Sequence, residues 1–122
     1  MAKTIMIVDD SASLRQVVSI ALKGAGYDTI EACDGRDALA KLDGTKIHLI
    51  ISDVNMPNMD GISLVKEVKK HPSYKFTPVI MLTTESQEGK KAEGQAAGAK
   101  AWVVKPFQPQ QMLAAVAKLI LP

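Results

Sequence analysis

Four places along this chain carry side chains suited to handling a phosphoryl group, and each follows a short apolar run. Asp9-Asp10 comes after Ile5-Met6-Ile7-Val8, and Asp53 comes after Leu49-Ile50-Ile51-Ser52. Thr83-Thr84 follows Val79-Ile80-Met81-Leu82, and Lys105-Pro106-Phe107 follows Ala101-Trp102-Val103-Val104. Three carboxylates gathered together repel one another, so they must take up protons or share a cation. A hard divalent ion suits them: Mg2+ prefers oxygen ligands, and no Cys or His lies near these motifs to favour zinc. One carboxylate could then attack phosphorus to form an acyl phosphate. The cation, the Lys105 ammonium and the Thr83 hydroxyl would neutralise the oxygens of the transferring group. Singly, Lys105 could merely end a strand and Thr83 merely cap a helix. Together, at four run ends, they point to one site.

That convergence needs parallel strands. Apolar runs rich in Ile and Val, near residues 4–8, 47–52, 78–82 and 101–104, alternate with segments of helical period. Nearly unbroken apolar runs are expected where helices cover both faces of a sheet. Residues 27–32 mix polar and apolar instead, which suits an edge strand. Strand and helix alternate five times, so the fold class is α/β with a parallel sheet. Ligands of such sheets sit beyond the carboxyl ends of the strands, where the strand order reverses. The acidic residues fall at the ends of the first and third strands.

The helices carry their own punctuation. Leu14, Val17, Val18, Ala21, Leu22 and Ala25 recur at spacings of three and four, with Asp10 or Ser11 as cap and Gly26 as stop. A second helix follows Asp34, with Ala38, Leu39 and Leu42 inward and Gly44 beyond its end. A third opens at Asp60, buries Ile62, Val65 and Val68, and ends before Pro72. The last carries Leu113, Val116, Ala117 and Ile120, with Pro109 in its first turn. The segment from Ser86 to Gly98 is the weakest, since Gly89 and Gly94 each cost roughly 1 kcal/mol relative to Ala. Packing through Ala92, Ala96 and Ala97 is expected to rescue it.

Composition narrows the function. A chain of 122 residues with 47% hydrophobic content can build one core. A net charge of +2 gives no general grip on nucleic acid, so no DNA partner is expected. The clusters Lys66, Lys69, Lys70 and Lys90, Lys91 read as solvated helix faces. The single Cys33 cannot form an internal disulfide and reads as a small buried residue. His48 and His71 read as structural residues. Met-Ala-Lys-Thr leads straight into a strand, and no apolar stretch reaches membrane-spanning length. A soluble cytoplasmic domain over residues 1–122 is expected, with no linker or output segment.

The ordered set Val8-Asp9-Asp10-Ser11, Asp53-Val54-Asn55-Met56-Pro57-Asn58-Met59-Asp60-Gly61, Thr83-Thr84-Glu85 and Lys105-Pro106-Phe107 resembles response-regulator receiver domains. It is similar to stand-alone CheY-type chemotaxis regulators over essentially the full chain. The resemblance implies a flavodoxin-like, doubly wound five-stranded sheet of order 2-1-3-4-5, flanked by five helices. It implies that Asp53 is the phosphoacceptor, fed by a chemotaxis-type sensor histidine kinase. Asp10 would hold Mg2+ directly, Asp9 through water, and the Asn55 carbonyl would join Asp53 as a further ligand. Lys105 would pair with the phosphate, ahead of a cis Lys105–Pro106 bond. Thr83 and Trp102 would move as the switch, coupling the chemistry to a partner surface on the fourth helix, fifth strand and fifth helix. Asn55 and Glu85 would set the phosphate's lifetime, giving weak self-dephosphorylation without making the domain an enzyme. The expected partners are the kinase, a downstream target such as the flagellar switch, and a phosphatase; the domain itself is expected to be a monomer.

Two features depart from the pattern. Trp102 stands where Tyr or Phe is usual, and Gly89 and Gly94 fall in the helix of the output face. Both put flagellar-motor binding in question and leave room for a role as phosphate sink. A phosphatase of the haloacid-dehalogenase type would also use Asp, Thr, Lys and Mg2+. It needs a second acid two residues after the nucleophile, where this chain has Asn55. A flavodoxin wants a Ser/Thr/Gly-rich phosphate loop after the first strand, where two carboxylates would repel the anion.

Overall fold

The apolar runs become five parallel strands, and the period of two along them builds a core on each face. The structure, a computed structural model, describes residues 3–84, 88–105 and 108–120, with backbone alone at 84 and 88–91. Its elements are β1 (Thr4–Val8), α1 (Ala12–Gly24), β2 (Asp28–Ala32), α2 (Gly35–Ala40) and β3 (Leu49–Asp53). They continue as α3 (Gly61–Lys70), β4 (Val79–Thr84), α4 (Glu88–Ala97), β5 (Ala101–Lys105) and α5 (Pro109–Leu119). The sheet order is β2-β1-β3-β4-β5, all parallel, as the resemblance implies. The order reverses between β1 and β3, the two strands that end in the carboxylates.

Alternate strand residues enter different cores. Met6, Val8, Ile50, Val79 and Met81 pack with Ala38, Leu64, Val65 and Val68 of α2 and α3. Ile5, Ile7, Leu49, Ile51, Ile80, Leu82 and Val103 pack with Val18 and Leu22 of α1 and Met112 and Val116 of α5. Both faces are covered, which is why these strands read as continuous apolar runs. β2 lies at the edge and stays half-exposed. Among the described residues no helix is long and apolar enough to cross a membrane.

The expected caps form. Ser11, rather than Asp10, accepts the Leu14 N–H at 3.2 Å. Asp34 accepts from Asp37 N at 2.8 Å, and Asp60 accepts from Ser63 N at 2.7 Å. Gly26 and Gly44 follow their helices with φ of 97° and 104°. The histidines are structural: His48 Nδ1 accepts from Thr4 N at 3.0 Å, and His71 Nδ1 accepts from Ser73 N at 3.1 Å.

Several expectations need correction. Val17 is 53% exposed, because one residue turns a helix by 100° and Val18 already faces the sheet. Ala117 of α5 is exposed for the same reason, the buried stripe running through Met112 and Val116. α2 stops at Ala40 in a tighter turn, with Lys41 N donating to Ala38 O and Leu42 N to Leu39 O. β3 begins at Leu49, later than the apolar run, although Ile47 is buried. Cys33 is exposed, since it sits in the bend that leads into the Asp34 cap. In α4, Ala92 and Ala96 are exposed; Gly94 and Ala97 face inward instead.

Candidate functional site

β1 and β3 deliver their terminal residues to the same edge because they pair in register, Val8 opposite Ser52. The next residues are Asp9 and Asp53. A carboxylate oxygen from each of Asp9, Asp10 and Asp53 lies within 4.8 Å of the others. Asp9 and Asp53 are buried and Asp10 is exposed, so the cluster opens to solvent on one side. β4 and β5 bring the rest: Asp53 lies opposite Leu82, and Thr84 lies opposite Lys105. Thr83, one residue past Leu82, is buried at the strand end.

Lys105 reaches into the cluster. Its Nζ donates to Asp53 Oδ1 at 3.0 Å and stands 3.6 Å from Asp9 Oδ2. The first contact is a charge-assisted hydrogen bond; the second is an ion pair beyond hydrogen-bond length. Asp53 Oδ1 also accepts the Val54 N–H at 2.9 Å, which fixes the rotation of the carboxylate. Asp9 Oδ1 accepts from Ser11 N at 2.8 Å, whereas Asp9 Oδ2 is buried without a hydrogen bond among the described residues. Burial pushes the Asp9 carboxyl above its ordinary range. The nearby charges of Asp53 and Asp10 push the same way, against the pull of the Ser11 N–H and Lys105.

Such a set fits a hard cation. An orphaned buried oxygen, three carboxylates and a single ammonium leave negative charge uncompensated, and every ligand atom is oxygen. Among the described residues no metal-ligating nitrogen or thiolate belongs to the cluster.

The β5 flank of the site differs. Met81 pairs with Trp102 and Thr83 with Val104, so Trp102 shares a sheet face with Thr83. Its indole packs against the core and lies over α4 at Gly94. A Cβ on Gly94 would come within 2.2 Å of Trp102 Cη2. Gly94 is therefore a close-approach glycine that makes room for an indole. Trp102 Nε1 is buried there with no partner among the described residues.

The structure brings Asp9, Asp10, Asp53 and Lys105 together, and Thr83 follows Leu82, the residue opposite Asp53. Asn55 is exposed two residues past Asp53. Glu85, Pro106 and Phe107 lie outside the described residues, as do the side chains at positions 88–91, the turn of helix that holds Gly89. Sequence reasoning quoted Gly61 in the motif but missed its role: it has no room for a Cβ, because the Asp53 carbonyl oxygen stands in the way. It also missed Arg15, whose guanidinium donates to the Asp9 carbonyl and pairs with Glu31. A glycine directly after the Asp60 cap was the available signal for the first; nothing local signals the second.

Comparisons agree with this geometry. The profile of the response regulator receiver domain matches residues 5–117. Protein PilG of Pseudomonas aeruginosa is 38% identical over 112 residues, covering 92% of this chain and 83% of that protein. Chemotaxis protein CheY1 of Helicobacter pylori is 40% identical over 108 residues, 87% of each chain. A solved structure of chemotaxis protein CheY4 from Vibrio cholerae superposes with a TM-score of 0.92 at 49% identity, covering 98% of this chain and 99% of that one. By sequence, strand order and the arrangement of its acidic edge, this chain belongs to the response-regulator receiver family, with CheY-like chemotaxis proteins among its relatives.

Proposed function

We propose that the chain is a phosphorylation switch in which Asp53 accepts a phosphoryl group from a histidine kinase of the chemotaxis type. The observation that carries this is the short Lys105–Asp53 contact inside a cluster of three carboxylates at the β1/β3 reversal. Asp9, Asp10 and Asp53, with the Asn55 carbonyl, would hold Mg2+. Bound there, the ion would draw charge from the phosphoryl oxygens.

The chain's own residues do the remaining work. Val54 N–H and Lys105 hold Asp53 Oδ1, leaving the second carboxylate oxygen without a hydrogen bond among the described residues. That oxygen attacks phosphorus as the donor's P–N bond breaks, and the electron pair leaves with the imidazole. Lys105 then exchanges its carboxylate partner for a phosphoryl oxygen, and the Thr83 hydroxyl supplies a neutral donor. Asn55, exposed beside the acceptor, and Glu85 tune the attack of water that ends the signal. The product is a slow timer rather than a turnover enzyme. Thr83 and Trp102 share one face of β4 and β5, so a shift of the hydroxyl is felt at the α4-β5-α5 surface, where a target protein would dock. Chemotaxis as the setting is supported by the names of CheY1 and CheY4.

The test is direct. Acetyl phosphate and Mg2+ should add one phosphoryl group per chain, visible by intact mass, and chelation or Asp53→Asn should abolish it. Many turnovers of assorted phosphomonoesters, or an adduct that survives in Asp53→Asn, would overturn the assignment.

A further inference from the structure

The loop of residues 54–60 leaves the acceptor strand and ends at the cap of α3, and different neighbours fix its two ends. At the near end Gly61 N donates to Val54 O at 2.8 Å, with Gly61 pressed against the Asp53 carbonyl. The far end is gripped by the turn after β2, an element that contributes nothing to the carboxylate cluster. Asn58 Nδ2 donates to Asp34 Oδ2 at 2.7 Å, and Gly35 N donates to Met59 O at 3.2 Å. Gly35 admits no side chain, since a Cβ would lie 2.6 Å from Met59 Cγ and 2.8 Å from Met59 O.

Asp34 is 7% exposed although it opens a surface helix. Both of its oxygens are committed, Oδ1 to the Asp37 N–H as helix cap and Oδ2 to Asn58. The cap alone would need one oxygen, and a serine would serve. Asn58 is the one non-glycine residue described with positive φ, at 67°, a conformation that asparagine tolerates better than most. A residue in that region, tied by a short bond to a carboxylate 24 positions away, holds the loop in one shape.

We propose that Asp34 is a positioning residue: through Asn58 it fixes the 54–60 loop, and with it the Asn55 carbonyl, beside Asp53, and so sets the site's affinity for its divalent cation. This rests on reading the acidic cluster as a Mg2+ site. The bond couples the β2–α2 turn to the chemistry without touching it.

Two variants isolate the bond. Asp34→Ser keeps a capping oxygen for Asp37 N but falls short of Asn58. Asn58→Gly removes the donor while glycine keeps the positive φ at no steric cost. Mg2+ binding is measured by titration calorimetry on the full chain, with amide exchange across residues 54–60 and thermal unfolding alongside. Each single variant should weaken Mg2+ binding about fivefold, the size expected for one lost hydrogen bond, and speed exchange in the loop. The double variant should be no weaker than either single, because both remove the same contact. At saturating Mg2+ all three should still accept a phosphoryl group from acetyl phosphate. Wild-type affinity in both singles, or losses that multiply in the double variant, would overturn the positioning role while leaving the metal site intact. A wild-type chain that binds no Mg2+ would overturn both.

Discussion

Among the described residues, two buried side-chain polar atoms lack a hydrogen bond: Asp9 Oδ2 at the centre of the sheet edge and Trp102 Nε1 at its β5 flank. They differ in kind. The first is an acceptor whose neighbouring donors are already engaged: Ser11 N with Asp9 Oδ1, and Val54 N and Lys105 with Asp53 Oδ1. A cation or a proton arriving there would relieve the cost. The second is a donor on a side chain resting in a notch over Gly94, where rotation of that one side chain could relieve the cost. The proposed function would need a phosphoryl site whose geometry does not move and a switch element that does. The centre suits the first of these demands and the flank the second.

Adding a methyl group to a glycine on each side breaks the comparison most forcefully at the centre. In Gly61→Ala the new Cβ meets the main-chain carbonyl of Asp53, which has no rotamer to yield. We expect a loss of about 3 kcal/mol by urea unfolding, at the upper end of overpacking effects. Phosphoryl uptake should fall with it, since the strand end carrying the acceptor must shift. Wild-type stability in this variant would show that the centre is softer than its contacts state.

Asp9→Asn should act in the opposite direction and by less. Burial raises the Asp9 carboxyl, so the folded chain holds that proton more tightly than the unfolded chain does. The stability tied to the proton is fully present below the ordinary aspartate range and is lost as pH rises through the raised value. At neutral pH the asparagine variant escapes that loss and keeps an acceptor for Ser11 N. Its melting temperature in chelator should exceed wild type by a few degrees, with most of the gain gone at acid pH. Mg2+ should raise the melting temperature of wild type at neutral pH and hardly affect the variant. A variant less stable than wild type in chelator would show that the Lys105 ion pair outweighs the desolvation.

Much of this division was legible in the sequence. Nearly unbroken apolar runs gave the strands away, and short motifs at their ends located the carboxylates and the lysine, because local signals suffice for both. What stayed hidden depends on register between distant segments. That Asp34 meets Asn58, 24 positions on, follows from how turns stack across strands, which no local window reports. Gly94 is the instructive case. Its cost within a helix suggested looseness, and the alanines around it suggested the packing face. The structure gives the inward position to the glycine itself, because an indole eight residues later occupies the volume a side chain would need.

Gly94→Ala therefore completes the pair begun at Gly61, with the smallest expected change in stability. The Cβ would strike the far end of the Trp102 indole rather than backbone, and that end can swing away. Losing the seat costs some buried apolar area, while replacing glycine inside a helix returns roughly 1 kcal/mol. The two nearly cancel, so urea unfolding should differ from wild type by less than about 1 kcal/mol. Spectroscopy should differ plainly. Trp102 is the only tryptophan, and its emission should shift to the red with greater access to acrylamide as the indole leaves the notch. Because the indole N–H has no partner to lose among the described residues, the displaced ring gains hydration that it lacked in the seat. A stability loss matching Gly61→Ala, with unchanged emission, would mean that the flank is as rigid as the centre and that Trp102 cannot report a switch.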